Sequence, residues 1–152
     1  MKNAYTTFLL MLLTSGAAMY TTMYFNSYVW EHVYFSWTRL YMTCLGVAAM
    51  ALVMFFYMRK MYKNREKNMA IVIVSVLVMV LATYLVRQQK PIGDVRWMQA
   101  MIPHHSIAIL TSTRAQLEDE EVRKLATEII EAQKREIEEM KAHLKRLENE
   151  AE

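Results

Sequence analysis

Four side chains within eight residues, Met98, Met101, His104 and His105, bring two thioethers and two imidazoles together beside Pro103. On a helix, Met98, Met101 and His105 fall at i, i+3 and i+7, so they share one face. A thioether and an imidazole on one turn form a soft donor set. Such a set suits copper, and Cu(I) more than Cu(II), ahead of iron or magnesium. Pro103 removes a backbone donor and is predicted to loosen the turn behind it and tilt the two imidazoles. The same residues also fit a plainer role, a methionine-filled core stripe beside two ordinary histidines.

The elements that must hold these residues lie on either side. Pro91-Ile92-Gly93 breaks the chain, and Asp94 is the predicted N-cap of a helix running from about Val95 to Gln116. Leu117-Glu118-Asp119 has room only for a tight antiparallel turn. Asp119 is then the predicted cap of a second helix, with Glu120 and Glu121 well placed in its first turn. The second helix carries an apolar seam at steps of 3 and 4: Val122, Ala126, Ile129, Gln133, Ile137, Met140, Leu144 and Leu147. In such a hairpin Met98 faces Met140, Met101 faces Glu136 or Ile137, and His104 or His105 faces Gln133. Gln133 is the polar member of the seam, and a buried amide needs a partner. Each helix also holds a Met-x-x-His pair, Met101–His104 and Met140–His143. Carboxylate-bridged di-iron bundles place Glu at the first position of that spacing. Methionine there shifts the expected metal from iron to copper.

The first ninety residues are of another kind. Residues 1–93 hold nine Lys/Arg against Glu31 and Glu66, a balance of +7, whereas residues 94–152 stand at −4. The basic side chains flank apolar runs, which is a membrane pattern and not a nucleic-acid one. Three spans are predicted, about 4–25, 40–58 and 69–86. Within the first, Ser15-Gly16-Ala17-Ala18 is a small-residue patch that lets another helix approach closely. A cleaved signal peptide competes for this stretch, but its hydrophobicity continues through Met19, Met23 and Phe25. The linker 59–68 carries five Lys/Arg and one Glu, which assigns it and the N-terminus to the inner side and the hairpin to the outer side. Residues 20–41 hold nine of the seventeen aromatics, as an interfacial belt would, with His32 read as a surface histidine of the connector. Met50, Met54 and Met58 form a stripe down the second span that suits either a Cu(I) path or flexible packing. A single cysteine, Cys44, excludes an intrachain disulfide.

Met98-x-x-Met101-Ile-Pro-His104-His105, followed by Glu128-Ile129-Ile130-x-x-Gln133-x-x-Glu136-Ile137-x-x-Met140, resembles the CopM-type ferritin-like bacterial proteins. The likeness covers about residues 94–147. Upstream, His32-Val-Tyr-Phe-Ser and Met61-Tyr-Lys-Asn look like the membrane-anchored subgroup of that family. The resemblance implies periplasmic copper binding and resistance at a bacterial cytoplasmic membrane. It implies Met98, Met101, His104, His105 and Met140 as ligands, with Gln133 and Glu136 as neighbours. Soluble members often carry two hairpins where this chain has one.

The expected protein is therefore all-α, with a membrane domain over 1–90 and a helical hairpin over 91–152 that forms half of a ferritin-like bundle. Copper and the lipid bilayer are its expected partners, with no nucleic acid. A homo-oligomer, most simply a dimer, would complete a four-helix bundle. No general base, nucleophile or cofactor-binding loop stands out, so binding is expected and not catalysis. Two other classes fit the same residues: a structural or signalling membrane protein whose hairpin recruits a partner helix, and a copper oxidase.

Overall fold

Apolar runs broken by short polar segments give a chain in which helices follow one another. The computed structural model describes residues 4–150. Its five α-helices are α1 (Ala4–Thr22), α2 (Trp37–Met58), α3 (Arg65–Gln88), α4 (Asp94–Arg114) and α5 (Glu120–Asn149), with single 3-10 turns at Trp30–His32 and Arg59–Met61. No strand occurs among the described residues. The chain divides into two compact units. One ends at Met23 and resumes over Thr38–Pro91; the other joins Tyr24–Trp37 to the chain from Ile92 onward. The boundaries thus fall after Met23, after Trp37 and after Pro91.

In the first unit, α2 extended by its 3-10 turn (Trp37–Met61) and α3 (Arg65–Gln88) are long and apolar enough to cross a membrane. Only 22% and 11% of their apolar windows are buried, whereas a core helix of a soluble protein would be mostly covered. Both begin earlier than predicted, at Trp37 and Arg65 instead of Leu40 and Met69, because polar residues form their first turns. Asn64 caps α3 by accepting a hydrogen bond from the Lys67 N–H at 2.9 Å. The predicted 4–25 span forms a shorter helix, ending at Thr22. Its hydroxyls turn inward: Thr14 donates to the Leu10 carbonyl at 2.8 Å and Thr21 to the Ala17 carbonyl at 2.9 Å.

The small-residue patch does what its composition predicts. A Cβ added at Gly16 would come within 3.1 Å of Val47, and one at Gly46 within 3.0 Å of Met19, so α1 and α2 meet where side chains are smallest. Phe8, Ala51 and Tyr62 form the buried centre of this unit, with Met54 and Met58 packed against it. Two members of the predicted methionine stripe therefore fill space beside aromatic rings, the contact sulfur favours.

In the second unit α4 and α5 are joined by residues 115–119 and share one core. Met98, Ile102 and Ile109 of α4 meet Ile137, Met140 and Leu144 of α5, and Tyr34 packs against them from the connector. Gly93, not Asp94, is the N-cap of α4, and Asp94 is its first residue. Asp119 caps α5 as predicted, accepting from the Val122 N–H at 2.9 Å. Pro103 neither breaks nor frays α4. The helix runs through it, and the ring is fully buried, standing in for a core side chain. On α5, Val122 at the start of the seam and Leu125 are exposed, whereas Ala126 is buried. The end of α4 is the polar run Thr111-Ser112-Thr113-Arg114, which offers no apolar face to cover them.

Candidate metal centre

Three of the predicted sulfur ligands come together. Met98 (5% exposed) and Met140 (7%) lie in the α4–α5 core, and Met101 packs against the same cluster. Beside them stands His105, its ring held at both ends. Nδ1 is 2.9 Å from the Met101 carbonyl, and Nε2 is 2.8 Å from Oε2 of Glu136. A carbonyl and a carboxylate only accept, so both contacts are fulfilled together only when both ring nitrogens carry protons. With Nδ1–H fixed on the carbonyl, Nε2 is the atom a metal would take, in place of its proton and of the Glu136 contact.

The other predicted residues lie outside this cluster. His104 is exposed, its ring centroid 6.2 Å from that of His105. His143 is exposed on α5. Gln133 is half-buried but does not meet an imidazole; its amide reaches Oε2 of Glu136 at 3.5 Å. Counting residues from the turn places Gln133 opposite His105, whereas Glu136 occupies that place. Side chains on a helix lean toward its N-terminus, so touching pairs carry higher numbers than facing Cα atoms do. Among the described residues no group of three or more His, Cys, Asp or Glu side chains forms a metal-binding set. The donors that belong to this core or border it are three thioethers and one imidazole. That set fits a soft monovalent ion better than a hard divalent one.

Hydropathy places His32 on the surface, and the structure reverses this. His32 is only 8% exposed, and its Nδ1 lies 3.0 Å from the Ser106 hydroxyl on α4. The same hydroxyl accepts a hydrogen bond from the Tyr28 N–H at 2.7 Å. The aromatic connector is therefore fastened to α4 one residue from His105, and the Tyr24 hydroxyl braces it by accepting from the Ser36 N–H at 3.1 Å. One signal for this clamp was present in the sequence. Ser106 sits between Ile102 and Ile109 on the core stripe, where a hydroxyl must find a partner.

Burial lowers the His32 imidazole from the ordinary histidine value of 6.5, with Lys141 acting the same way and Glu138 and Glu31 opposing. The neutral ring can accept the Ser106 hydroxyl proton at Nδ1. The folded state thus binds the His32 proton less readily than the unfolded chain. Its stabilising contribution is complete above about pH 6.5 and is lost as pH falls through the lowered folded value. The thermal stability of the native protein is expected to fall on acidification over that range, and His32→Gln to flatten the dependence. An unchanged slope in the variant would remove His32 as its source.

Comparison with known proteins places this architecture. Residues 94–152 match the family described as Domain of unknown function (DUF305). An uncharacterized protein of Acanthamoeba polyphaga mimivirus is 34% identical over 106 residues, which cover 68% of this chain and 68% of the viral one. The chain belongs to one family with that protein, and residues 94–152 are its DUF305 domain. The aligned length exceeds that of the domain, so the likeness reaches into the helices before residue 94. No solved structure matches the chain.

Proposed function

We propose that this protein binds copper, Cu(I) ahead of Cu(II), at the outer face of a membrane, for tolerance, buffering or handover. The observation that carries the reading is that Met98 and Met140 share one buried cluster, with Met101 packed against it beside His105. The CopM-type likeness of the Met-Ile-Pro-His-His motif supports the same reading. Met98, Met101, Met140 and Nε2 of His105 would hold the ion. His104 and His143, exposed at the surface, would make first contact with it. Glu136 and Gln133 would orient the imidazole from outside the donor set.

The five-residue connector supports an antiparallel hairpin, as does a core shared by the first turns of α4 and the last turns of α5. For α1 the support for a third span is a charge-free helix of 19 residues whose threonines bond back to its own carbonyls. Three spans with the basic 59–68 turn inside would leave the hairpin outside the cytoplasmic membrane. A reporter at the C-terminus should then behave as extracytoplasmic, and cytoplasmic activity would overturn the topology.

A second reading is favoured by one observation. Glu136 already occupies Nε2 of His105, as in a purely structural ion pair. On that reading the methionines are packing, and the exposed Val122 and Leu125 recruit a partner helix. Competition titration of the full-length protein with a Cu(I) chelator separates the two. Stoichiometric, tight Cu(I) binding is expected, and its absence in protein that folds normally would select the structural reading.

A further inference from the structure

The membrane-type unit carries a groove that copper binding does not use. It has a volume of about 360 Å³ and is walled by Leu9 and Leu12 of α1 and Ile71 and Val74 of α3, with Ala51 of α2 also lining it. One end is polar and firmly built. The Tyr5 hydroxyl accepts from the Asn64 N–H and donates to Oδ1 of Asn68, each at 2.9 Å. Lys67 lines the groove at this end, its ammonium 5.2 Å from the centre of the Tyr5 ring. It belongs to a run of Arg59, Lys60, Lys63, Arg65 and Lys67 opposed by Glu66 alone.

The groove thus passes from a cationic end to a hydrocarbon-like interior. Its chemical complement is an amphiphile with an anionic head. Basic clusters beside a membrane helix, and basic pockets between such helices, are sites of this type. A parallel second copy would bring an identical basic run to the same end and be repelled by it. A zwitterionic lipid would fill the groove but leave Lys67 without a net counter-charge. We propose that the groove binds one anionic phospholipid, with an acyl chain between α1 and α3 and the phosphate at Lys67. The proposal rests on the membrane reading of α1–α3 and is independent of the copper site.

Native mass spectrometry of the full-length protein tests it, after exposure to equal amounts of phosphatidylglycerol and phosphatidylcholine with the same acyl chains. One retained phosphatidylglycerol is expected, favoured about fivefold by Lys67, the basic side chain that lines the groove. Lys67→Gln should lower that preference about fivefold. Ala70→Phe places a ring in the groove from an exposed position and leaves every charge intact. It should abolish retention while the helical circular dichroism stays native. Equal retention of the two lipids would overturn the site. So would an Ala70→Phe variant that keeps its lipid, because diffuse attraction to the basic run would then suffice. A lipid-free dimer would show that a second copy fills the groove instead. Copper affinity, measured on the same variants, should be native in all of them.

Discussion

Combining Met98→Leu with Met140→Leu is expected to remove measurable Cu(I) binding while the protein still folds. Leucine matches methionine in volume and apolarity, so each change in the α4–α5 core should cost less than about 1.5 kcal/mol. It offers no lone pair to a soft ion, however, and the two changes take a donor from each helix at once. The loss should therefore exceed the roughly 10–100-fold typical of groups that only orient a ligand. Met101→Leu and His105→Gln should each weaken binding sharply, and Glu136→Gln less, because a hard carboxylate adds little to Cu(I). Chelator competition gives the affinities, and thermal unfolding checks the fold. If all five proteins bind alike, the sulfur cluster is packing and the copper proposal fails.

The largest effect on stability is expected from Ile137→Asp. Ile137 is 1% exposed in the middle of the α4–α5 core. A carboxylate there would be buried without a partner, at a cost of several kcal/mol, a large share of the stability of a small unit. Loss of cooperative unfolding and of slow amide exchange in α4 and α5 is the expected outcome. Leu125→Glu is the contrasting change, since Leu125 is exposed and its replacement leaves that core intact. If a homo-oligomer forms through the uncovered start of α5, Leu125→Glu should lower the mass in sedimentation without changing the melting of α4 and α5. Should the native protein sediment as a monomer at every concentration, the bundle of two chains is wrong.

What was legible in the sequence followed periodicity. Ala126, Ile137, Met140 and Leu144 are buried on α5 because steps of 3 and 4 put them on one face, and Asp119 caps that helix for the reason its type predicts. Met98 and Met140 lie in the α4–α5 core, with Met101 packed against it, for the same reason. Periodicity describes one helix at a time, however, and the errors arise between elements. Glu136 displaced Gln133 at His105 because the register across a hairpin depends on side-chain direction as well as on loop length. Residue type makes Pro103 a local disturbance, yet its ring is buried and the helix continues through it. His32 was misplaced because its partner, Ser106, is 74 residues away in sequence. A local hydropathy reading of the aromatic stretch sees a membrane interface and nothing of that partner.

The fastening of Tyr24–Trp37 to α4 makes the second unit discontinuous in sequence. The backbone passes between the two units three times, after Met23, after Trp37 and after Pro91. A cassette cut at residue 94 would carry the whole DUF305 match yet leave behind Tyr34, His32 and the Tyr28 N–H, stripping the cover from Ser106. One nick in a connecting segment would not release the unit, because two other passages still hold it. Gene fusion or duplication that moves only α4 and α5 must therefore supply a substitute for the missing fourteen-residue strap.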